Sequence, residues 1–303
     1  MINFSSPRLT PTTWAWLILL SIIWGGSFLL GRIAVQEVPP LTLVLARVSL
    51  AAIALSLLLL WRKGDFQHTW KLWGAFAVMG TLNNIIPFAL IFYGQKEIGA
   101  GLAAIINAMT PIWTVIIAHL ATNDERLSLN KIIGMSLGFL GVAILIGSDA
   151  VAGLSASVIS QTLVIGATIS YGFAAVYGRR FANIPPIETA RGQLTMSTLI
   201  MIPVALFIDI PWTLPMPSSA AIWSVIILAL VCSAYAYILF FRILSRAGAV
   251  NVSLVTLLVP VSAVILGILV IGETLTFRQL LGMAIIMAGL IVIDGRLLKN
   301  IRS

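Results

Sequence analysis

Charge is what this sequence has least of. Asp, Glu, Lys and Arg together make up 9% of its 303 residues, against 60% hydrophobic, and mean hydropathy is +1.07. A soluble domain needs a far larger charged share on its surface, so a soluble fold is excluded. Cysteine occurs once, at Cys232, which excludes an internal disulfide framework. Inside an apolar run it reads as a small packing residue. The two histidines, His68 and His119, lie far apart in the chain, and no His-Glu-x-x-His is present. An intramembrane enzyme needs a nucleophile with a base, paired carboxylates or a metal cluster, and no such set is offered. No cofactor or metal is required.

What is abundant is apolar length. Runs of about 20 residues, each enough to cross roughly 30 Å of hydrocarbon, recur over 12–34, 41–61, 70–93, 99–121, 131–148, 157–178, 186–208, 218–241, 248–271 and 278–295. Unpaired backbone polar groups are not tolerated in lipid, so these runs predict helices. A β-barrel would show short alternating segments. The fold class is therefore an all-α polytopic membrane protein of ten transmembrane helices. The first run extends from Trp14 through Trp24 to Ala34, too long for a signal-peptide core. Pro39-Pro40, Pro185-Pro186 and the stretch from Pro215 to Pro217 punctuate the connections.

The net charge of +8 has no basic stretch with interleaved aromatics, which argues against nucleic acid as a partner. Placing the N-terminus in the cytoplasm puts thirteen of the eighteen Lys and Arg on inside segments. Only Arg32, Lys96 and Arg278 fall outside, and Arg47 and Arg191 lie within helices. That asymmetry follows the positive-inside rule. It predicts a multi-pass protein of the bacterial inner membrane with both termini cytoplasmic.

The second half repeats the first. Glu125-Arg126-Leu127-Ser128, continuing to Gly134-Met135, matches Glu273-Thr274-Leu275-Thr276, continuing to Gly282-Met283. Gly99 with Pro111 matches Gly248 with Pro260, and Trp24-Gly25 matches Tyr171-Gly172. Residues 1–148 and 149–303 then form two five-helix units. Five is odd, so the second unit enters the membrane from the opposite side, an inverted repeat of the kind secondary transporters use.

Ten helices in this arrangement, with Trp24-Gly25, Arg47, Thr110-Pro111 and Gly272-Glu273-Thr274-Leu275-Thr276 before Leu281-Gly282, resemble the EamA-type drug/metabolite transporter superfamily over nearly the whole chain. The first half departs from the motif, carrying Asn123-Asp124-Glu125-Arg126-Leu127-Ser128. The resemblance implies export of amino acids or related metabolites through a central cavity shared by the repeats. Efflux of drugs or cationic compounds is the alternative within transport.

Polar residues in lipid-spanning helices usually face a cavity or a partner helix. Asn107, Thr110 and Thr114 lie at helical spacing beside Pro111, and Ser253 and Thr256 lead to Pro260. Asn107 aligns with Thr256, so the stripes are symmetry-related, as a midplane site requires. Hydrogen bonding between helices is the other reading. Asn83 and Asn84 precede Pro87; adjacent amides cannot face one way, and Asn84 is the candidate. Ser233 and Tyr237 share a face. Trp24 and Tyr171 occupy matched positions, deep enough to stack on a substrate, and Trp113 is a further aromatic candidate. Gln193 aligns with Arg47. Arg47 itself sits about six residues into its helix, roughly 9 Å along the axis, where it receives a substrate carboxylate, snorkels outward or hydrogen-bonds the carbonyls of a broken helix. Gly25, Pro87, Pro111 and Pro260 are candidate helix breaks or gates. The glycine stripes at 134, 138, 141, 282 and 289 read as packing within the chain rather than a dimer face, giving a monomer or weak homodimer. The ten acids all fall at or near loops, which points to a facilitator or exchanger rather than a strongly proton-coupled pump.

Overall fold

The structure is a computed structural model that describes residues 10–61, 69–122, 127–147, 155–252 and 254–294. Among these residues the chain forms ten helical segments. They are α1 (Pro11–Ala34), α2 (Pro40–Trp61), α3 (Trp70–Gln95), α4 (Ala100–Ala121), α5 (Leu129–Ile146), α6 (Ala156–Phe181), α7 (Pro186–Ile208), α8 (Ser219–Gly248), α9 (Val255–Ile271) and α10 (Phe277–Asp294). Nine are long and apolar enough to cross a membrane, and α9 is a shorter apolar helix preceded by helical residues at 251–252. The expected boundaries agree within a few residues except at the α8–α9 junction, where α9 starts at Val255 rather than 248 and α8 ends beyond 241. That helix runs on to Gly248, where a φ of 79° turns the chain, a left-handed conformation that favours glycine. The unit boundary expected at 148–149 lies outside the described residues.

Local chemistry sets the helix starts. Thr10, Thr69, Ser128, Ser155 and Ser218 each accept a backbone N–H three residues on, satisfying a donor the helix itself leaves unpaired. Pro11 and Pro186 stand in first turns, where the missing N–H costs nothing. Pro87 and Pro111 stand inside α3 and α4, where each helix resumes after a local departure from α geometry.

Packing obeys an internal two-fold relation. α1 packs on α8 and α9 as α6 packs on α3 and α4, α2 meets α7, and α5 meets α10. This is the five-plus-five inverted repeat. The α5–α10 pair is the closest: a Cβ on Gly134 would lie 2.5 Å from the Gly289 carbonyl oxygen, and the converse holds at 2.5 Å. The glycine stripes therefore seat two backbones against each other inside one chain. Large apolar side chains such as Leu57, Leu60, Leu199 and Leu269 are exposed and form the surface that lipid covers. Trp61 and Trp70 are also exposed, at helix ends, as interfacial anchors are.

Two departures from α geometry were not expected. In α3, residues Thr81–Ile85 form a π turn closed by the Ile86 N–H on the Thr81 carbonyl. In α8, Leu230–Tyr235 form another, with the Ala236 N–H on the Val231 carbonyl. They occupy corresponding places in the two repeats.

Candidate functional site

Between the two repeats lies a cavity of about 690 Å³, within the range of small-molecule sites. Its aromatic lining is Trp24 and Phe28 of α1, Phe88 and Phe92 of α3, and Phe240 and Phe241 of α8. At one end the lining reaches the surface, where Ala182 and Pro186 are exposed beside Gly178, Phe181 and Ile184. The mouth is therefore at the α6–α7 connection, the end of the molecule where α1 begins.

Arg47 points into this cavity. It is 7% exposed, and its Nε donates to Ser233 Oγ at 2.9 Å. Its guanidinium lies 3.8 Å from the Phe88 ring centre, a cation–π distance. Snorkelling to the surface, one of the three expectations, does not occur; the partner is a hydroxyl in the π turn of α8 rather than a freed carbonyl. Ser233 Oγ in turn donates to the Leu228 carbonyl at 3.0 Å, five residues back, so the hydroxyl both closes the π turn and orients the guanidinium.

The symmetry-related position carries the symmetry-related contact. Gln193, which aligns with Arg47, accepts at Oε1 from Asn83 Nδ2 at 3.1 Å. Asn83 belongs to the π turn of α3, as Ser233 belongs to that of α8. Each repeat thus sends one side chain from its second helix to the π turn in the third helix of the other. One of these side chains is charged and the other neutral. Asn83 Nδ2 also donates to the Tyr237 hydroxyl at 3.0 Å.

The structure sorts the remaining expected site residues. Trp24, Asn107, Thr110, Pro111, Tyr171, Gln193, Ser233, Tyr237, Thr256 and Pro260 line the cavity with Arg47. Asn84 does not. It is fully buried and donates to Ser197 Oγ at 3.1 Å, while its neighbour Asn83 faces the cavity. One residue is about 100° of helix rotation, and the π turn shifts the register, so the alternative amide is the lining one. Trp113 does not reach the cavity either. It packs edge-on against Phe139 of α5 and beside Gly172 of α6. Ser253 lies outside the described residues.

Nor do all four candidate breaks behave as breaks. Gly25 leaves α1 continuous; a Cβ there would come 2.8 Å from the Ala263 nitrogen, so it serves the close approach of α1 to α9. Pro260 sits inside an unbroken α9. Pro87 follows the π turn of α3 directly. At Pro111 the helix is interrupted over Ala108 and Met109, and the Thr110 hydroxyl takes the released Asn107 carbonyl at 2.8 Å.

One sequence match to a hydrolase nucleophile turn, Gly134-Met135-Ser136-Leu137-Gly138, is discounted by its place. It lies in the middle of α5 with Ser136 exposed, not on the strand-to-helix turn that such chemistry uses. At the end opposite the mouth, two carboxylates join the repeats. Glu37 accepts the Ser218 N–H and hydroxyl, both at 2.6 Å. Asp209 Oδ2 accepts the Thr42 N–H at 2.7 Å and its hydroxyl at 2.9 Å.

A model of the EamA-like transporter family matches the chain twice, over residues 12–147 and 158–294. The chain belongs to the EamA-like transporter family. Within it, the chain is 27% identical over 282 residues to an uncharacterized inner membrane transporter, YedA, of Escherichia coli K12, covering 91% of this chain and 89% of that one. It is 23% identical to an uncharacterized transporter, YoaV, of Bacillus subtilis, covering 90% and 94%. It is 24% identical to Protein PecM of Dickeya dadantii, covering 90% and 89%. A solved crystal structure superposes with a TM-score of 0.67 at 18% identity, covering 97% of this chain and all of the other, which shows the shared fold. The chain is a multi-pass membrane transporter of the EamA type, and its cavity is the shared space between two EamA repeats.

Proposed function

We propose that this protein exports amino acids or related compounds across the bacterial inner membrane by alternating access around the cavity between its repeats. The observation that carries this reading is Arg47, a buried guanidinium held by Ser233 and facing a midplane cavity. A charge there costs at least about 2.5 kcal/mol without a partner, and a substrate carboxylate supplies one. Efflux of cationic compounds is disfavoured by the same charge. The Lys and Arg asymmetry supports cytoplasmic termini, which makes the cavity mouth cytoplasmic and the captured state inward-facing. No carboxylate is among the described residues lining the cavity, which supports a facilitator or exchanger. The substrate is the small-molecule partner, the lipid bilayer is the solvent, and the working unit is a monomer or weak homodimer.

The test is a tolerance screen against toxic amino acids, their analogues and cationic drugs in cells overexpressing the chain. Tolerance to amino acid analogues, with a lower internal amino acid pool, is the expected result. Unchanged tolerance and an unchanged pool overturn it. In proteoliposomes, accumulation against the substrate gradient driven by ΔpH alone overturns the facilitator reading.

A further inference from the structure

The cavity has one charge and one unanswered acceptor. Among the described residues lining it, Arg47 is the only ionised side chain. Its Nε is taken by Ser233, and no described residue accepts from its two terminal nitrogens. The Asn107 side-chain oxygen is buried without a partner, and Asn107 lines the same cavity. The remaining polar lining is neutral hydroxyl and amide, and much of the rest is aromatic.

That charge balance separates two kinds of carboxylate. A zwitterionic amino acid answers Arg47 with its carboxylate but brings an ammonium into a space with no described anion. Removing an ammonium from water costs several kcal/mol, and neutral acceptors return only part of that. A monoanion carries no such second charge. Its carboxylate matches the fork of the guanidinium, and one neutral O–H or N–H satisfies Asn107 Oδ1. An apolar or aromatic body fits against Trp24, Phe88 and Phe240.

We propose that the preferred ligand class of this cavity is the net-anionic monocarboxylate with an apolar or aromatic body and one neutral hydrogen-bond donor, such as a 2-hydroxy acid or an N-acyl amino acid, ahead of the parent zwitterion. This rests on the cavity being the substrate site, and it narrows the "related compounds" of that reading.

An isosteric series reads the preference directly. L-3-phenyllactate, L-phenylalanine and L-phenylalaninamide differ at pH 7 in net charge and hardly in shape. A ligand that binds only the native state raises Tm with its concentration. Loss of the helical circular-dichroism signal reports unfolding of the purified full chain without a label. We expect phenyllactate to raise Tm at a concentration at least tenfold below that needed for phenylalanine. Phenylalaninamide leaves Tm unchanged. Arg47→Gln removes the phenyllactate shift, and Ser233→Ala, which keeps the charge, weakens it. Phenylalanine acting at an equal or lower concentration overturns the proposal, as does the absence of any shift with phenyllactate. Both of these outcomes are read on the native chain, so they hold even if a variant fails to fold. The cellular tolerance screen is independent of this ranking, so amino acid export with phenylalanine preferred refutes the inference and leaves the proposed function standing.

Discussion

Arg47 Nε and Ser233 Oγ, 2.9 Å apart, bind the second helix of one repeat to the π turn of the other. Both groups are buried, so the hydroxyl is part of how the guanidinium is aimed, beyond filling space. Ser233→Ala leaves a charged donor without its acceptor, a loss of about 1.5 kcal/mol or more. The expected outcome is a rise of about tenfold in the half-saturating concentration of a carboxylate substrate in proteoliposome counterflow. Ser233→Thr, which keeps the hydroxyl, recovers most of it. Equal half-saturation in all three chains contradicts an orienting role.

The matched pair is Gln193 with Asn83, 3.1 Å apart. Since Gln193 is the repeat counterpart of Arg47, the inverted architecture offers a second seat for the charge. Arg47→Gln alone is expected to lower carboxylate transport at least about thirtyfold, the equivalent of about 2 kcal/mol. Adding Gln193→Arg to that variant restores measurable transport by returning a guanidinium to the cavity from the other side. A double variant no better than Arg47→Gln shows that the two seats are not equivalent.

The helices, their number and the repeat are legible in the sequence because each rests on a long-range pattern: apolar length, charge asymmetry, and motifs at a near-constant offset. Side-chain placement is harder to read because it rests on phase. Adjacent amides stand about 100° apart on a helix, so choosing Asn84 over Asn83 as the lining amide depends on the phase, which composition does not give. The π turn at Thr81–Ile85 changes which amide faces inward, and nothing in Thr81-Leu82-Asn83-Asn84-Ile85 announces it. Trp113 has the composition of a ligand-stacking residue, yet Gly172 draws α6 close enough to cover it. The aromatic wall of Phe88, Phe92, Phe240 and Phe241 is invisible as a site in the sequence, because phenylalanine in an apolar helix is ordinary lipid or core material. The symmetric placement of Asn83 and Ser233 is the available signal.

The end opposite the cavity mouth is tied by two carboxylates, and Glu37 gives a pH dependence. The Ser218 hydroxyl, then its N–H, hold the Glu37 carboxyl below its usual range. A depressed native value means that the bond is present above the ordinary carboxylate range and is lost as pH falls through the lowered value. Asp209 on Thr42 makes the second tie. Opening the cavity toward that face requires both to part. Glu37→Gln with Asp209→Asn weakens these charge-assisted bonds, and the expected result is labelling of Cys232 by a membrane-impermeant thiol reagent from that face about tenfold faster than in the native chain. Acidifying that face of the native chain moves labelling the same way, while labelling through the mouth is not accelerated. An unchanged rate from the tied face in the double variant removes these carboxylates from the closure.

Glu273, the acid of the Gly-Glu motif before α10, explains itself through the other repeat. Its Oε1 accepts the Ala100 N–H at 2.6 Å and its Oε2 the Gly101 N–H at 3.0 Å. Those are two of the four donors that the start of α4 leaves unpaired, and an anion there also meets the positive end of the helix dipole. Glu273→Ala is therefore expected to lower stability by about 1.5–3 kcal/mol, read as a fall in Tm. Gly99 belongs to the same device, because a Cβ on it would stand 2.6 Å from Glu273 Oε1 and displace the carboxylate. Gly99→Ala should then reproduce much of the Glu273→Ala loss, and the two together should cost clearly less than the sum of the singles, since the second change removes a contact the first has already broken. Additive losses in that cycle separate the two residues and leave the glycine with a packing role of its own.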